Sequence, residues 1–164
     1  MNNYICINGN KTELTEEQLK QLGIEVPKAN PFNRAKLEEK YYCIDMCGKI
    51  REPHEAHDPI DMCTFNIANY CTDKSLMEQR ALHETLNRLL WRYSMEHDGD
   101  KIDWNSSRSK WKIVYNHQCH KLEIHDNTSI GVIETPYFYT VSAADAAIKE
   151  IIEPFMKEHP EFKW

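Results

Sequence analysis

Asn69-Tyr70-Cys71-Thr72-Asp73 (NYCTD) stands directly before a long amphipathic run, and Pro136-Tyr137-Phe138-Tyr139-Thr140 (PYFYT) stands in the same relation to a second one. In each stretch, aromatic residues of strand-forming type give way to a side chain, Asp73 or Thr140, whose oxygen can accept from the free N–H groups of a helix's first turn. The hydrophobic period changes there from two to three or four. Aligning Asp73 on Thr140 also pairs Tyr70 with Tyr137, Ser75 with Ser142, Met77 with Ala144 and Glu78 with Asp145. Two copies of one strand-strand-helix unit account for this. A coincidence of common strand-cap-helix grammar accounts for it as well, because the identity between the two stretches is weak.

After Asp73, Leu76, Leu82, Leu86, Leu89, Leu90 and Tyr93 recur at helical steps, with Glu78, Arg80, Glu84, Asn87 and Arg88 on the other face. The pattern predicts a helix over about 75–96, stopped by Asp98-Gly99. After Thr140, the stripe Ala144, Ile148, Ile151, Ile152 and Phe155 predicts a second helix, with Pro154 late enough to kink or end only its last turn. Before Tyr70, YYCIDM (41–46) and KIRE (49–52) flank a turn at Gly48 as a hairpin, and MCTFNI (62–67) alternates like a third strand. The second half repeats the order: WKIVY (111–115) and KLEIH (121–125) flank NHQC (116–119), and IGVIE (130–134) offers a third short strand.

At the start, YICI (4–7) and Asn8-Gly9 signal a hairpin, Thr15 with Gln18 fits a capping box for a short helix, and Gly23 ends it. Residues 24–35, with Pro27 and Pro31, read as an ordered loop or linker. The expected fold class is α+β: an N-terminal hairpin and short helix (1–35), then two strand-rich modules (36–98 and 99–164), each followed by an amphipathic helix. A single domain is expected, with each sheet packed on its helix.

A formal charge of −6 disfavours direct binding to nucleic-acid backbone, which needs a basic footprint, and suits a basic protein partner. There is no span-length apolar run and no export signal, so the chain is expected to be soluble, off the membrane and cytoplasmic. The six cysteines, Cys6, Cys43, Cys47, Cys63, Cys71 and Cys119, are then expected to be reduced, most of them as small buried hydrophobes beside strands.

INGNKTELTEEQLKQLG, YYCIDMCGKI, NYCTDKSLMEQRA, LLWRYSMEHDGDKIDW and the WKIVY to YFYTVSAADAAI order resemble a group of small uncharacterised proteins carried by bacteriophages, prophages and related mobile elements. The resemblance implies a setting in an infected bacterial cell, where small acidic accessory proteins bind and inhibit host factors, CRISPR nucleases among them.

Four clusters are candidates for chemistry. His117, Cys119, His120 and His125 include good zinc ligands, but their spacing lacks the paired pattern of a structural site, and a solvated turn competes with zinc. His54, His57 and Asp58 invite metal binding or proton transfer, or are simply wet. Glu52, Glu55, Asp58 and Asp61, on the loop EPHEAHDPID (52–61) with its two prolines Pro53 and Pro59, are the expected partner-binding residues, presenting negative charge to a basic groove. Trp104 and Tyr139 are candidate aromatic anchors beside them. Phosphate loop, nucleophile elbow, zincin and deaminase signatures are missing from the sequence. The resemblance to phage and mobile-element proteins implies a non-enzymatic function, inhibition of a host defence nuclease such as a CRISPR effector, with no cofactor and no catalytic residue expected. The alternative is a small nucleotide-ligand or metal-binding protein.

Overall fold

The computed structural model describes residues 4–7, 10–23, 30–129 and 136–164, which fall into two compact units, 1–33 and 34–164. In the first unit, β1 (Tyr4–Ile7) pairs antiparallel with β2 (Asn10–Glu13). Ile7 lies opposite Asn10, the register of a two-residue connection; Asn8 and Gly9 themselves lie outside the described residues. The short helix α1 (Glu16–Gln21) opens on a reciprocal cap: the Thr15 amide donates to Gln18 Oε1 at 2.9 Å and the Gln18 amide to Thr15 Oγ1 at 3.3 Å. Gly23 follows with φ +69°, a left-handed stop that glycine adopts without strain.

In the second unit, β3 (Cys43–Ile44) and β4 (Ile50–Arg51) form a short hairpin whose turn passes through Gly48 at φ +79°. Helix α2 (Pro59–Asn66) and the long helix α3 (Lys74–Glu96) follow. A seven-residue hairpin, β5 (Lys110–Asn116) with β6 (Lys121–Asn127), comes next, then a C-terminal helical rod. The rod is α4 (Val141–Ala147), a π turn (Ile148–Ile152) and α5 (Glu153–Glu158). Pro154 has no N–H to give, and its ring would crowd the carbonyl four residues back; the wider π turn just before it lets the rod run on. Ile130–Glu134, the expected third strand of the second module, lies outside the described residues.

The stretches 69–73 and 136–140 do the same structural work. Cys71 and Phe138 each make a single antiparallel bridge to the preceding hairpin, to Tyr42 and Trp111 respectively. Each bridge has reciprocal amide–carbonyl bonds of 2.7 and 3.0 Å. Tyr70 and Tyr137, one residue earlier, are both 1% exposed. Two residues after each bridge the helix is capped, Asp73 accepting from the Leu76 amide and Thr140 from the Ala143 amide, both at 3.1 Å. Four residues past each cap the first core side chain enters, Met77 or Ala144. The match of bridge, cap and core position across both halves supports the duplicated unit.

Helix α3 serves both hairpins. Its first half buries Met77 and Ala81 against Ile44, Cys71 and half-buried Ile50. Its second half buries Leu86, Leu90 and Tyr93 in the main core with Phe138, Ala144, Ile152 and Phe155, and Trp111, Ile113, Leu122 and Ile124 of the β5–β6 hairpin cover that core. Small Ala144 and Ala147, both fully buried, let the rod approach closely. Leu76 is exposed where a core residue is expected, because the bridge at Cys71 and the cap at Asp73 set the helix's rotation so that Met77 points inward. Helix α3 ends as expected: Asp98 takes φ +66°, and a side chain on Gly99 would put its Cβ 2.6 Å from the Ser94 carbonyl oxygen.

The segment 62–67 is a correction. It is expected to be a strand and is mostly helix, because Asp58 Oδ1 accepts from the Ile60 and Asp61 amides, both at 2.8 Å, and Pro59 occupies the first turn, where its missing N–H costs nothing. The cysteines are also corrected in part. All six are free thiols, yet only Cys71 is buried and Cys43 half-buried; Cys47 and Cys119 ride on hairpin turns, Cys63 on the outer face of α2, and Cys6 is exposed.

Candidate functional site

The four carboxylates expected to face a partner separate into distinct environments. Glu55 is 1% exposed. Its Oε1 accepts from the Arg34 guanidinium at 2.8 Å and the His57 amide at 2.9 Å, and its Oε2 from the Tyr70 hydroxyl at 2.7 Å. Asp61, 4% exposed, accepts from the Tyr41 hydroxyl on Oδ1 and the Ala56 amide on Oδ2, each at 2.7 Å. The Tyr41 and Tyr70 rings stack at 4.1 Å between the two acids, so the loop is pinned to the fold by paired tyrosine–carboxylate bonds.

The titration of these groups follows from that geometry. The Arg34 bond holds the Glu55 carboxyl below its ordinary range against the opposing effect of burial. The Tyr41 bond does the same for Asp61. Burial first, and the neighbouring carboxylate second, push the Tyr70 hydroxyl up to about 12 and raise Tyr41 further. Both acids are therefore anionic inside the protein and satisfied by it.

Glu52 and Asp58 stay on the surface, and each also has an internal duty. Glu52 pairs with Lys74, at 2.5 Å, and more loosely with Lys40, at 3.6 Å. Asp58 caps α2 through Oδ1 alone. Of the neighbouring histidines, His57 has φ +56° and its Nδ1 lies 3.3 Å from Glu55 Oε1, while Lys40 bridges to His54.

The second cluster is spread along the β5–β6 hairpin. His117 meets the Tyr115 ring edge-on, Cys119 and His120 sit in the exposed turn, and His125 lies opposite Lys112, beside Glu123 at 3.1 Å. His125 stands four residue steps from the pair that closes the turn, Asn116 with Lys121, a run of about 13 Å. Among the described residues, no three His, Cys, Asp or Glu side chains are placed to hold a metal ion. Trp104 is half-buried edge-on to Tyr137, and Tyr139 is exposed.

The feature that sequence reasoning missed is α2 itself, which is built inside out. Its acid, Asp61, is buried and Phe65 half-buried, while Ile60 and Cys63 face outward with Met62 exposed beside them, and Ile67, the residue that caps the helix's C-terminal end, extends this apolar stripe. Ile60 is 72% and Ile67 65% exposed. Asp58-Pro59, a capping residue followed by proline at the first helical position, is the signal that would have located this helix.

Comparison with protein-family models, curated proteins and solved structures finds no match. Among the described residues, no helix is long and apolar enough to cross a membrane.

Proposed function

We propose that this is a non-enzymatic protein of a phage or mobile element that binds a host defence nuclease, such as a CRISPR effector, on its basic surface and blocks it. The outward stripe of α2 is the observation that carries the reading. A helix that turns isoleucines to water and an aspartate to the core offers apolar area worth about 25 cal/mol per Å² once a partner covers it. Asp58 at the head of that helix and the formal charge of −6 favour encounter with a cationic surface. The acids of the loop divide the labour: Asp61 anchors α2 through Tyr41, Glu55 pins the preceding loop through Arg34 and Tyr70, Glu52 is neutralised by Lys74 and Lys40, and Asp58 supplies the charged edge.

The test is a DNA-cleavage assay with purified CRISPR effectors and purified protein, with binding measured at low and high salt. Saturable inhibition that weakens with salt, and falls about tenfold in the Ile60→Asp/Ile67→Asp variant, is the expected result. Inhibition untouched by that variant moves the contact off α2. Failure to bind or inhibit any effector, together with a nucleotide or stoichiometric metal in the purified protein, establishes the small-ligand alternative.

A further inference from the structure

Two shallow depressions flank the β3–β4 turn on α3, and both are lined by Cys47, Gly48 and Thr85. The larger, about 460 Å³, adds an apolar floor of Ile50, Ala81 and Leu82 and an end lined by Glu78, Glu161 and His159, whose Nδ1 lies 3.5 Å from Glu161 Oε1. The smaller, about 280 Å³, adds Leu89 and Met46 and a basic end at Arg88 and Arg92. Between them the turn passes close over α3 at Gly48, where a Cβ would lie 3.4 Å from Thr85 Oγ1, and both depressions use this residue as a wall. Met46 on the rim is fully exposed, the adaptable kind of side chain that lines versatile peptide-binding surfaces. The cations at the basic end are weakly committed: Arg88 reaches Glu84 only at 4.0 Å with its side chain 62% exposed, and Arg92 is exposed.

We infer that this trough docks an extended peptide segment of a protein partner, one with an acidic residue at one end, apolar residues in the middle and a basic residue at the other. Charge complementarity selects this occupant: two guanidiniums at one end, and at the other the Glu78 carboxylate with Glu161 beside its His159 neighbour, favour a bipolar ligand over a uniformly charged one. Length agrees with it. From Glu78 to Arg92 along α3 is about 21 Å at 1.5 Å per residue, which an extended chain covers in about six residues. The trough uses none of the stripe residues of α2, so the two surfaces stand or fall separately.

The test titrates labelled full-length protein, followed by amide NMR shifts, with blocked hexapeptides carrying glutamate at one end and lysine at the other around an apolar centre. Saturable shifts at Gly48, Thr85 and Arg88 are expected. Affinity is expected to fall about tenfold in the Arg88→Glu/Arg92→Glu variant, which then prefers a peptide with lysine at both ends. The Ile60→Asp/Ile67→Asp variant is expected to bind the bipolar peptide unchanged. The inference is overturned if the bipolar peptide causes no shifts in the trough, if an uncharged peptide binds equally well, or if the arginine variant keeps its preference. Saturable shifts at Arg88 and Arg92 with adenosine monophosphate in place of any peptide also overturn it, in favour of a nucleotide site.

Discussion

Replacing Asp61 by alanine removes the side chain that holds both the Tyr41 hydroxyl and the Ala56 amide, each donating at 2.7 Å to a residue that is 4% exposed. Both donors lose that acceptor, with the Thr64 hydroxyl a remaining polar neighbour of the Tyr41 oxygen. A buried orphan costs about 1–3 kcal/mol, so two cost about 2–6. The variant no longer desolvates a carboxylate, which returns part of this and sets the expected net loss at about 3 kcal/mol. Asp61→Asn is the graded control: its amide oxygen can serve one donor but its NH₂ cannot serve the other, so about half the loss is expected. Urea unfolding followed by far-UV circular dichroism, with an unchanged slope, reads these values. In a Tyr41→Phe background one orphan is already gone, and the alanine substitution is expected to cost about 1 kcal/mol less. A loss below about 0.5 kcal/mol for Asp61→Ala, the size expected of an exposed side chain, refutes the buried clasp.

Stability is expected to depend on pH at both extremes. Glu55 and Asp61 have lowered folded-state pKa values, so their contribution is present above the unfolded carboxyl range and drains away as pH falls below about 4, an effect that Glu55→Gln blunts in urea titrations. Tyr70 is raised to about 12, so its contribution is full below about 10 and is lost as pH climbs through the folded value. Thiol labelling of the native protein is expected to modify Cys6, Cys47, Cys63 and Cys119 rapidly, Cys43 slowly because burial raises its pKa, and Cys71 only on unfolding. Asp73→Ala and Thr140→Ala are each expected to cost about 1 kcal/mol in thermal or urea unfolding. Near-equal losses fit two copies of one unit.

The parts of this fold that announced themselves were those where a local signal and the tertiary contact agree. Thr15 with Gln18, Gly48 in its turn, the caps Asp73 and Thr140, and the β5–β6 hairpin each combine a local rule with a burial pattern that points the same way. Residues 62–67 were misread because two signals conflict there. Apolar alternation argues for a strand, while Asp58-Pro59 starts a helix, and the Tyr41 hydroxyl decides by donating to Asp61 in the core. The candidate site was legible only as a place. Its loop carries functionally suggestive acids, but nothing in a local pattern tells that Glu55 answers Arg34, 21 residues away, or that Tyr70 reaches back to the Ala35 amide. The α3 trough needs the C-terminal Glu161 beside Glu78, a proximity created entirely by folding.

An exposed apolar stripe on an acid-anchored helix is the claim on which the binding account stands. Backbone ¹³C chemical shifts over residues 59–66, with nuclear Overhauser contacts from the Asp61 β protons, test it directly. Helical shifts and contacts from Asp61 to the Tyr41 ring are the predicted result. Extended shifts, with Ile60 and Ile67 methyl groups in contact with the core in place of Asp61, would contradict it.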